Sequence, residues 1–213
     1  MTGLIRRVTI LCAAGVLAAT AALAGVPSAT TSTQPAGLTL VGHSGGVADP
    51  TATGASTYTI RDASNNPVPS SVVILNYSAC TDARICSTTQ PAGMTVNCGS
   101  KTVSGVTNAS GVVTFRIVGG GLTSGAAITS PCISVTADGV PMNTIRSSNV
   151  DMNGAGGLSA ADITLAKVDL NSAPTRTRAD FNKSGTVTAA DITLLKSIFN
   201  AAGSNTSCAS YCP

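Results

Sequence analysis

Two stretches of this 213-residue chain carry oxygen-bearing side chains at one repeated spacing. Counting from Asp151, positions 1, 3 and 12 are Asp151, Asn153 and Asp162, with Gly156 at position 6 and Leu158 at position 8. Counting from Asp180, the same positions hold Asp180, Asn182, Asp191, Gly185 and Val187, and Ser184 adds a hydroxyl at position 5. The chemistry such a loop offers is that of a cage for Ca²⁺, a hard cation that takes about six to eight oxygens. Alternate residues of a tight loop point inward, and glycine at position 6 permits the sharp turn. The position-7 carbonyls, of Gly157 and Thr186, add a backbone oxygen each, and the position-12 aspartate closes the cage. Ala155 brings no side-chain oxygen to position 5, so the first site is expected to be the weaker of two.

The elements around these residues repeat as well. Asp151–Lys167 and Asp180–Lys196 are 29 positions apart (151 to 180) and agree at 10 of 17 residues. Past each loop the apolar period turns helical, through Ile163, Leu165 and Val168 in one copy and Ile192, Leu195 and Ile198 in the other. Ser159–Asp162 and Thr188–Asp191 also read as capping boxes, which would start helices without a metal. The loop spacing is that of an EF-hand, with Asp in place of Glu at position 12. With the 29-residue duplication and one helix after each loop, it resembles a type I dockerin from about Asn149 to Ala202. The resemblance implies a small α-helical domain with paired EF-hand-type loops, two bound Ca²⁺ and a cohesin as partner. It implies that Ala160, Ala161 and Lys167 in one repeat, and Ala189, Ala190 and Lys196 in the other, face that cohesin.

Upstream the pattern is different. Ser56–Ile60, Val72–Leu75, Gly111–Val118 and Cys132–Ala137 are β-branched or alternating runs, separated by turn residues such as Asn65-Asn66-Pro67, Asn108–Gly111 and Gly119-Gly120-Gly121. Short strands at this spacing predict a β-sandwich over 38–148. The segments Thr59–Val68 and Thr107–Phe115 resemble bacterial Ig-like modules of the invasin (Big-1) type, which serve as stalks, spacers and adhesins. The expected fold is therefore multidomain, an all-β Ig-like sandwich followed by the dockerin-like domain over 149–203.

Residues 1–24 read as a signal peptide, with Arg6 and Arg7, an apolar stretch from Val8 to Ala21, and Ala22-Leu23-Ala24 before the cut. A Ser/Thr/Ala/Pro-rich linker over 25–37 follows. Six cysteines remain in the mature chain, an even number that predicts disulfides in a secreted protein. Cys208 and Cys212 are expected to close a small loop in the 204–213 tail, with Cys80, Cys86, Cys98 and Cys132 pairing in the middle region.

Composition narrows the function classes. All nine acidic residues are Asp, there is one His and no Trp, and without the leader the balance is ten basic against nine acidic residues, which excludes a strongly basic nucleic-acid binder. Gly42-His43-Ser44-Gly45-Gly46 fits a nucleophile elbow, but no helix pattern follows it and His43 is the only His, so no triad can form. A glycosidase needs two carboxylates across a cleft. Asp49, Asp62, Asp82 and Asp138 are available outside the repeats, and no pair among them is indicated. The expectation is a secreted, non-catalytic, calcium-binding interaction protein docked to a cohesin-like receptor, in a setting such as a polysaccharide-degrading assembly. The competing expectation is a stand-alone structural or adhesive protein that its calcium repeats stabilise.

Overall fold

The computed structural model describes residues 25–41, 54–88, 90–122, 131–170, 178–202 and 208–212. The leader, the His43–Ser44 elbow and Asp49 lie outside the described residues. The described residues form ten strands: β1 (Gly37–Val41), β2 (Ser56–Thr59), β3 (Val72–Asn76), β4 (Arg84–Ile85), β5 (Thr95–Asn97), β6 (Thr102–Val106), β7 (Val112–Phe115), β8 (Ile117–Gly120), β9 (Ile133–Ala137) and β10 (Val140–Asn149). Two helices follow, α1 (Ala160–Asp169) and α2 (Ala189–Ala202).

The period-two runs form strands for the expected reason. Val73 and Leu75 in β3, Val103 in β6, and Ile133, Val135 and Ala137 in β9 turn inward, while their neighbours along the strand are more exposed. Tyr58 of β2 and Phe115 of β7 meet edge to face, with ring centroids 5.6 Å apart. Gly105 of β6 leaves room there, since a Cβ would lie 3.0 Å from Val113 and 3.3 Å from Phe115. Turn chemistry acts at three places. Asp62 accepts the amides of Ser64 and Asn66, Asn108 accepts those of Ser110 and Val112, and Asp138-Gly139 join β9 to β10 with both residues at positive φ.

The architecture corrects the expected one. Eight strands form one mostly antiparallel sheet in the order β4-β8-β1-β10-β9-β3-β6-β5, barrel-like and nearly closed, with β2 and β7 as a separate pair. An Ig-like sandwich followed by a helical domain with paired EF-hand loops does not fit this sheet and two short helices. The physical reason lies in β1. It pairs in parallel with β10 on one side and β8 on the other, and all five of its residues are buried. A strand with parallel neighbours on both sides merges what would be two sheets into one. The helical part differs too, because strand β10, not a helix, runs into the first loop.

Three further readings are corrected. Residues 25–36 do not run free as a linker: Pro27 bridges Asp62, Thr33 bridges Thr59, and the Ser28 amide donates to the Arg61 carbonyl at 2.8 Å. Gly119 and Gly120 end strand β8 and do not turn the chain. They are glycines because of close approach, since a Cβ would lie 2.6 Å from the Arg84 carbonyl at Gly119 and 2.7 Å from the Tyr211 hydroxyl at Gly120. The disulfides are Cys80–Cys132, Cys86–Cys208 and Cys98–Cys212, so the last two cysteines bind the tail to the sheet and not to each other. Spacing along the chain carries no record of that long-range proximity.

The tail lies at the seam of the sheet. Tyr211 bridges Cys86 beside β4, and the Cys212 amide donates to Ile85 at 2.8 Å. The Cys98–Cys212 disulfide ties the same tail to the end of β5, the opposite edge. Among the described residues no helix is long and apolar enough to cross a membrane. Replacing Cys98 and Cys212 together by serine should lower the unfolding free energy by about 2–4 kcal/mol, read as an earlier urea midpoint. An unchanged midpoint would mean that the tail's hydrogen bonds alone hold the seam.

Candidate metal centre

The two loops share most of their hydrogen bonds; one exception is the Met152 amide, which donates to Asp162, while its counterpart Phe181 donates to the Ala179 carbonyl. In the first, Asp151 accepts the Gly156 amide at Oδ2 (2.8 Å) and the Ala155 amide at Oδ1 (3.2 Å), and Asn153 Oδ1 takes the same Ala155 amide at 2.9 Å. In the second, Asp180 accepts Gly185 at Oδ2 (2.8 Å) and Ser184 at Oδ1 (3.0 Å), and Asn182 Oδ1 takes Ser184 at 2.9 Å. The backbone repeats also. Gly154 and Lys183, at position 4, have φ of 65° and 61°, and Gly156 and Gly185, at position 6, have 92° and 95°. Two left-handed residues, two positions apart, curl the chain so that successive amides point inward.

The position-12 aspartates join loop to helix. Asp162 Oδ1 accepts the amides of Met152 (2.7 Å) and Asn153 (3.1 Å), and its Oδ2 accepts the amide and hydroxyl of Ser159, the N-cap of α1. Asp191 treats Asn182 (3.0 Å) and Thr188 in the same way. The capping box of α1 is complete, and at α2 its carboxylate half is present; both carboxylates also reach back across the loop. Apolar residues of the repeats, Leu158, Phe181, Val187, Ile192, Leu195 and Ile198 among them, make a core of their own beneath the loops.

Asp151, Asp162, Asp180 and Asp191 each have no exposed surface. Burial pushes the Asp151 carboxyl up, and the nearby charge of Asp162 adds to that, against the hydrogen bonds of Tyr211, Gly156 and Ala155. Among the described residues no basic side chain is ion-paired with any of the four. Their hydrogen-bond donors are all neutral; the Lys183 ammonium lies within Coulombic reach of Asp180 and Asp191 but forms no ion pair with them. Each loop still encloses two carboxylates, a donor set that a divalent cation fits. The remaining oxygens suit Ca²⁺ over a softer metal: amides of Asn153 and Asn182, the Ser184 hydroxyl, and the Thr186 carbonyl, which lies 3.1 Å from Ser184 Oγ. Gly157 is buried at position 7 of the first loop. Among the described residues no three or more His, Cys, Asp or Glu side chains gather in one place, as each loop has only two carboxylates. Ala160, Ala161, Lys167, Ala189, Ala190 and Lys196 are all exposed on the two helices.

Sequence reasoning missed the residues that fasten the loops to the sheet. Lys183 donates to Thr39 Oγ1 (2.7 Å), to Ser148 Oγ and to the Asp180 carbonyl (3.2 Å). Thr39 and Ser148 are partners on adjacent strands β1 and β10, and both are buried. Gly37 has no side chain because the Lys183 stem lies where its Cβ would be, 2.7 Å away. Part of the Lys183 stem reaches the surface, but its ammonium is enclosed. That desolvation pushes its pKa down to about 7, with Asp180 and Asp191 pulling the other way.

Arg178 is the second fastener. Buried just before the second loop, it forms an ion pair with Asp169 at the end of α1 (Nε–Oδ2 2.5 Å) and with Asp82 before β4 (3.4 Å). Burial pushes the Asp82 carboxyl up to about 6, partly offset by the Leu122 amide and by Arg178. Asp82, Asp62 and Asp138, weighed above as catalytic carboxylates, are thus an ion-pair partner and two turn residues. Tyr58, Tyr77 and Phe115 are all in the sheet core. No local signal marked these fasteners, because the partners Thr39 and Asp82 lie 144 and 96 residues away along the chain.

Comparisons with protein families, with curated proteins and with solved structures find no match to this chain.

Arg178→Met should cost about 3–5 kcal/mol at neutral pH, because it strands two buried carboxylates. The loss should shrink in acid. The Asp82 carboxyl titrates near 6 in the fold against an ordinary 3.8, so the folded chain holds the extra proton between those values. Its contribution to stability therefore grows as pH falls through that window, and without Arg178 the gain on protonation is larger still. A stability deficit that stays constant from pH 7 to pH 4 in urea titrations would contradict this assignment.

Proposed function

We propose that the chain is an exported, non-catalytic calcium-binding protein. Asp151, Asn153, Gly157 and Asp162 would hold one Ca²⁺, and Asp180, Asn182, Ser184, Thr186 and Asp191 the other. The observation that carries this reading is the pair of fully enclosed carboxylates in each loop, met by amides and hydroxyls and by no ion-paired base among the described residues. A bound Ca²⁺ supplies the missing positive charge, and the chain's own part is to hold the oxygens and keep water out.

The repeated helix face is the proposed docking surface for a cohesin-like receptor. Its support is that Ala160, Ala161 and Lys167 recur as Ala189, Ala190 and Lys196, and that all six are exposed. Small side chains edged by a lysine allow close approach with a charged rim. Export is supported by the leader pattern and by three disulfides, which persist in oxidising compartments. A polysaccharide-degrading assembly is the setting the dockerin resemblance offers.

A second reading, in which calcium only stabilises a structural or adhesive protein, has its own support. Lys183 and Arg178 tie the loops to the sheet, so an ion in either loop would brace the whole molecule. Binding to the folded state alone adds about 2.7 kcal/mol when Ca²⁺ exceeds Kd a hundredfold.

Calorimetric titration of the purified protein with Ca²⁺ should give two ions per chain, and Asp180→Asn should sharply weaken the tighter of them. No heat at millimolar Ca²⁺, with no difference in melting temperature between calcium and chelator, would sink both readings. To separate them, Lys167→Glu with Lys196→Glu should abolish retention on an immobilised cohesin while leaving the calcium isotherm unchanged. Retention of neither the wild type nor the variant on any cohesin would leave the stabilising role alone.

A further inference from the structure

The position-1 aspartates of the two loops take the same amides from inside, but they differ on the outer side. Asp151 Oδ2 receives a second donor, the Tyr211 hydroxyl, at 2.5 Å. The corresponding Oδ2 of Asp180 takes only the Gly185 amide among the described residues. The loop with the extra donor is the one that lacks an oxygen at position 5, where Ala155 stands in place of Ser184.

Tyr211 is held for this contact from several directions. Its tail is cross-linked on both sides, through Cys86–Cys208 and Cys98–Cys212. The Arg84 guanidinium sits 4.8 Å from its ring centroid, and Arg84 also donates to the Gly154 carbonyl inside the loop at 3.3 Å. Gly120 makes room below, as a Cβ there would lie 2.7 Å from the phenol oxygen and 3.0 Å from Asp151 Oδ2. Gly156 makes room above, as its Cβ would lie 2.9 Å from the Cys208 carbonyl.

We propose that Tyr211 is a positioning residue for the first calcium site, holding Asp151 in the rotamer that ligates and so offsetting the oxygen that Ala155 does not provide. The inference rests on the calcium reading above. With Gly156 and Tyr211 both on Oδ2, the carboxylate cannot rotate without losing two hydrogen bonds, and Oδ1 stays turned into the loop. Hydrogen bonds from outside to a ligating carboxylate orient it and tune affinity. The coupling is reciprocal: an ion that fixes Asp151 also fixes Tyr211, and with it the tail that lies at the sheet seam.

The test is Ca²⁺ calorimetry of the full protein and of Tyr211→Phe, which keeps the ring under Arg84 and removes only the hydroxyl. One of the two sites should weaken by roughly 10–100-fold while the other stays unchanged. Ala155→Asp, placed in the Tyr211→Phe background, should restore much of the loss, which a merely structural role for Tyr211 would not predict. Two sites of unaltered affinity in Tyr211→Phe would overturn the proposal and leave the calcium reading intact. No binding in the unsubstituted protein would overturn both. Should Tyr211→Phe not fold, terbium answers with the unsubstituted chain. The protein has no Trp, and of its tyrosines Tyr58 and Tyr77 lie in the sheet core, so tyrosine-excited Tb³⁺ emission should arise at the first loop. Emission that survives Asp151→Asn undiminished would contradict the proposal.

Discussion

Four aspartates with no exposed surface, set in two like-charged pairs, are the constraint on which the C-terminal third of this protein depends. Burying one carboxylate is costly, and burying two side by side is costlier. The loops meet part of that cost with oriented backbone. Left-handed residues at positions 4 and 6 turn successive amides toward Asp151 and Asp180, and the amides of Ser159 and Thr188, just before each helix, serve Asp162 and Asp191. The two enclosed carboxylates left in each loop are what the proposed Ca²⁺ would neutralise.

The sheet is shaped to receive them. Gly37 admits the stem of Lys183, and Gly120 admits the Asp151–Tyr211 contact. Asp151 continues the strand order by bridging Gly120 in parallel, so the first loop begins as an extension of the sheet. Lys183 caps a rung between β1 and β10, and Arg178 joins the end of α1 to the segment before β4. The loops have their own small core, and they are fastened to the sheet both by these buried polar ties and by backbone bonds such as Gly121 to the Asp151 carbonyl and Asn149 to the Arg178 carbonyl.

How much of this could be read beforehand follows from range. The loop residues, the capping boxes, the two helices and the inward face of most strands were legible, because spacing within about a dozen residues reports local conformation directly. The Asp138-Gly139 hairpin was legible for the same reason. The sheet order was not. Nothing in Gly37–Val41 states that it pairs in parallel with both Ile117–Gly120 and Val140–Asn149. The glycine run at 119–121 looked like a turn, because the crowding that requires it comes from Arg84, Asp151 and Tyr211. The disulfides were expected in number and misjudged in pairing, since Cys86 and Cys208 are 122 residues apart. Tyr211 had no signal at all. Its role exists only because two cross-links carry the tail back over a loop some sixty residues upstream.

The central claim is that the enclosed carboxylate pairs are cation sites, and anomalous diffraction from crystals grown in calcium tests it most directly. The account predicts one peak in each loop, about 2.3–2.6 Å from the ligating carboxylate oxygens. The peak in the second loop should be the stronger, because its position 5 supplies an oxygen. Crystals at saturating calcium with both loops ordered and no peak in either would contradict it.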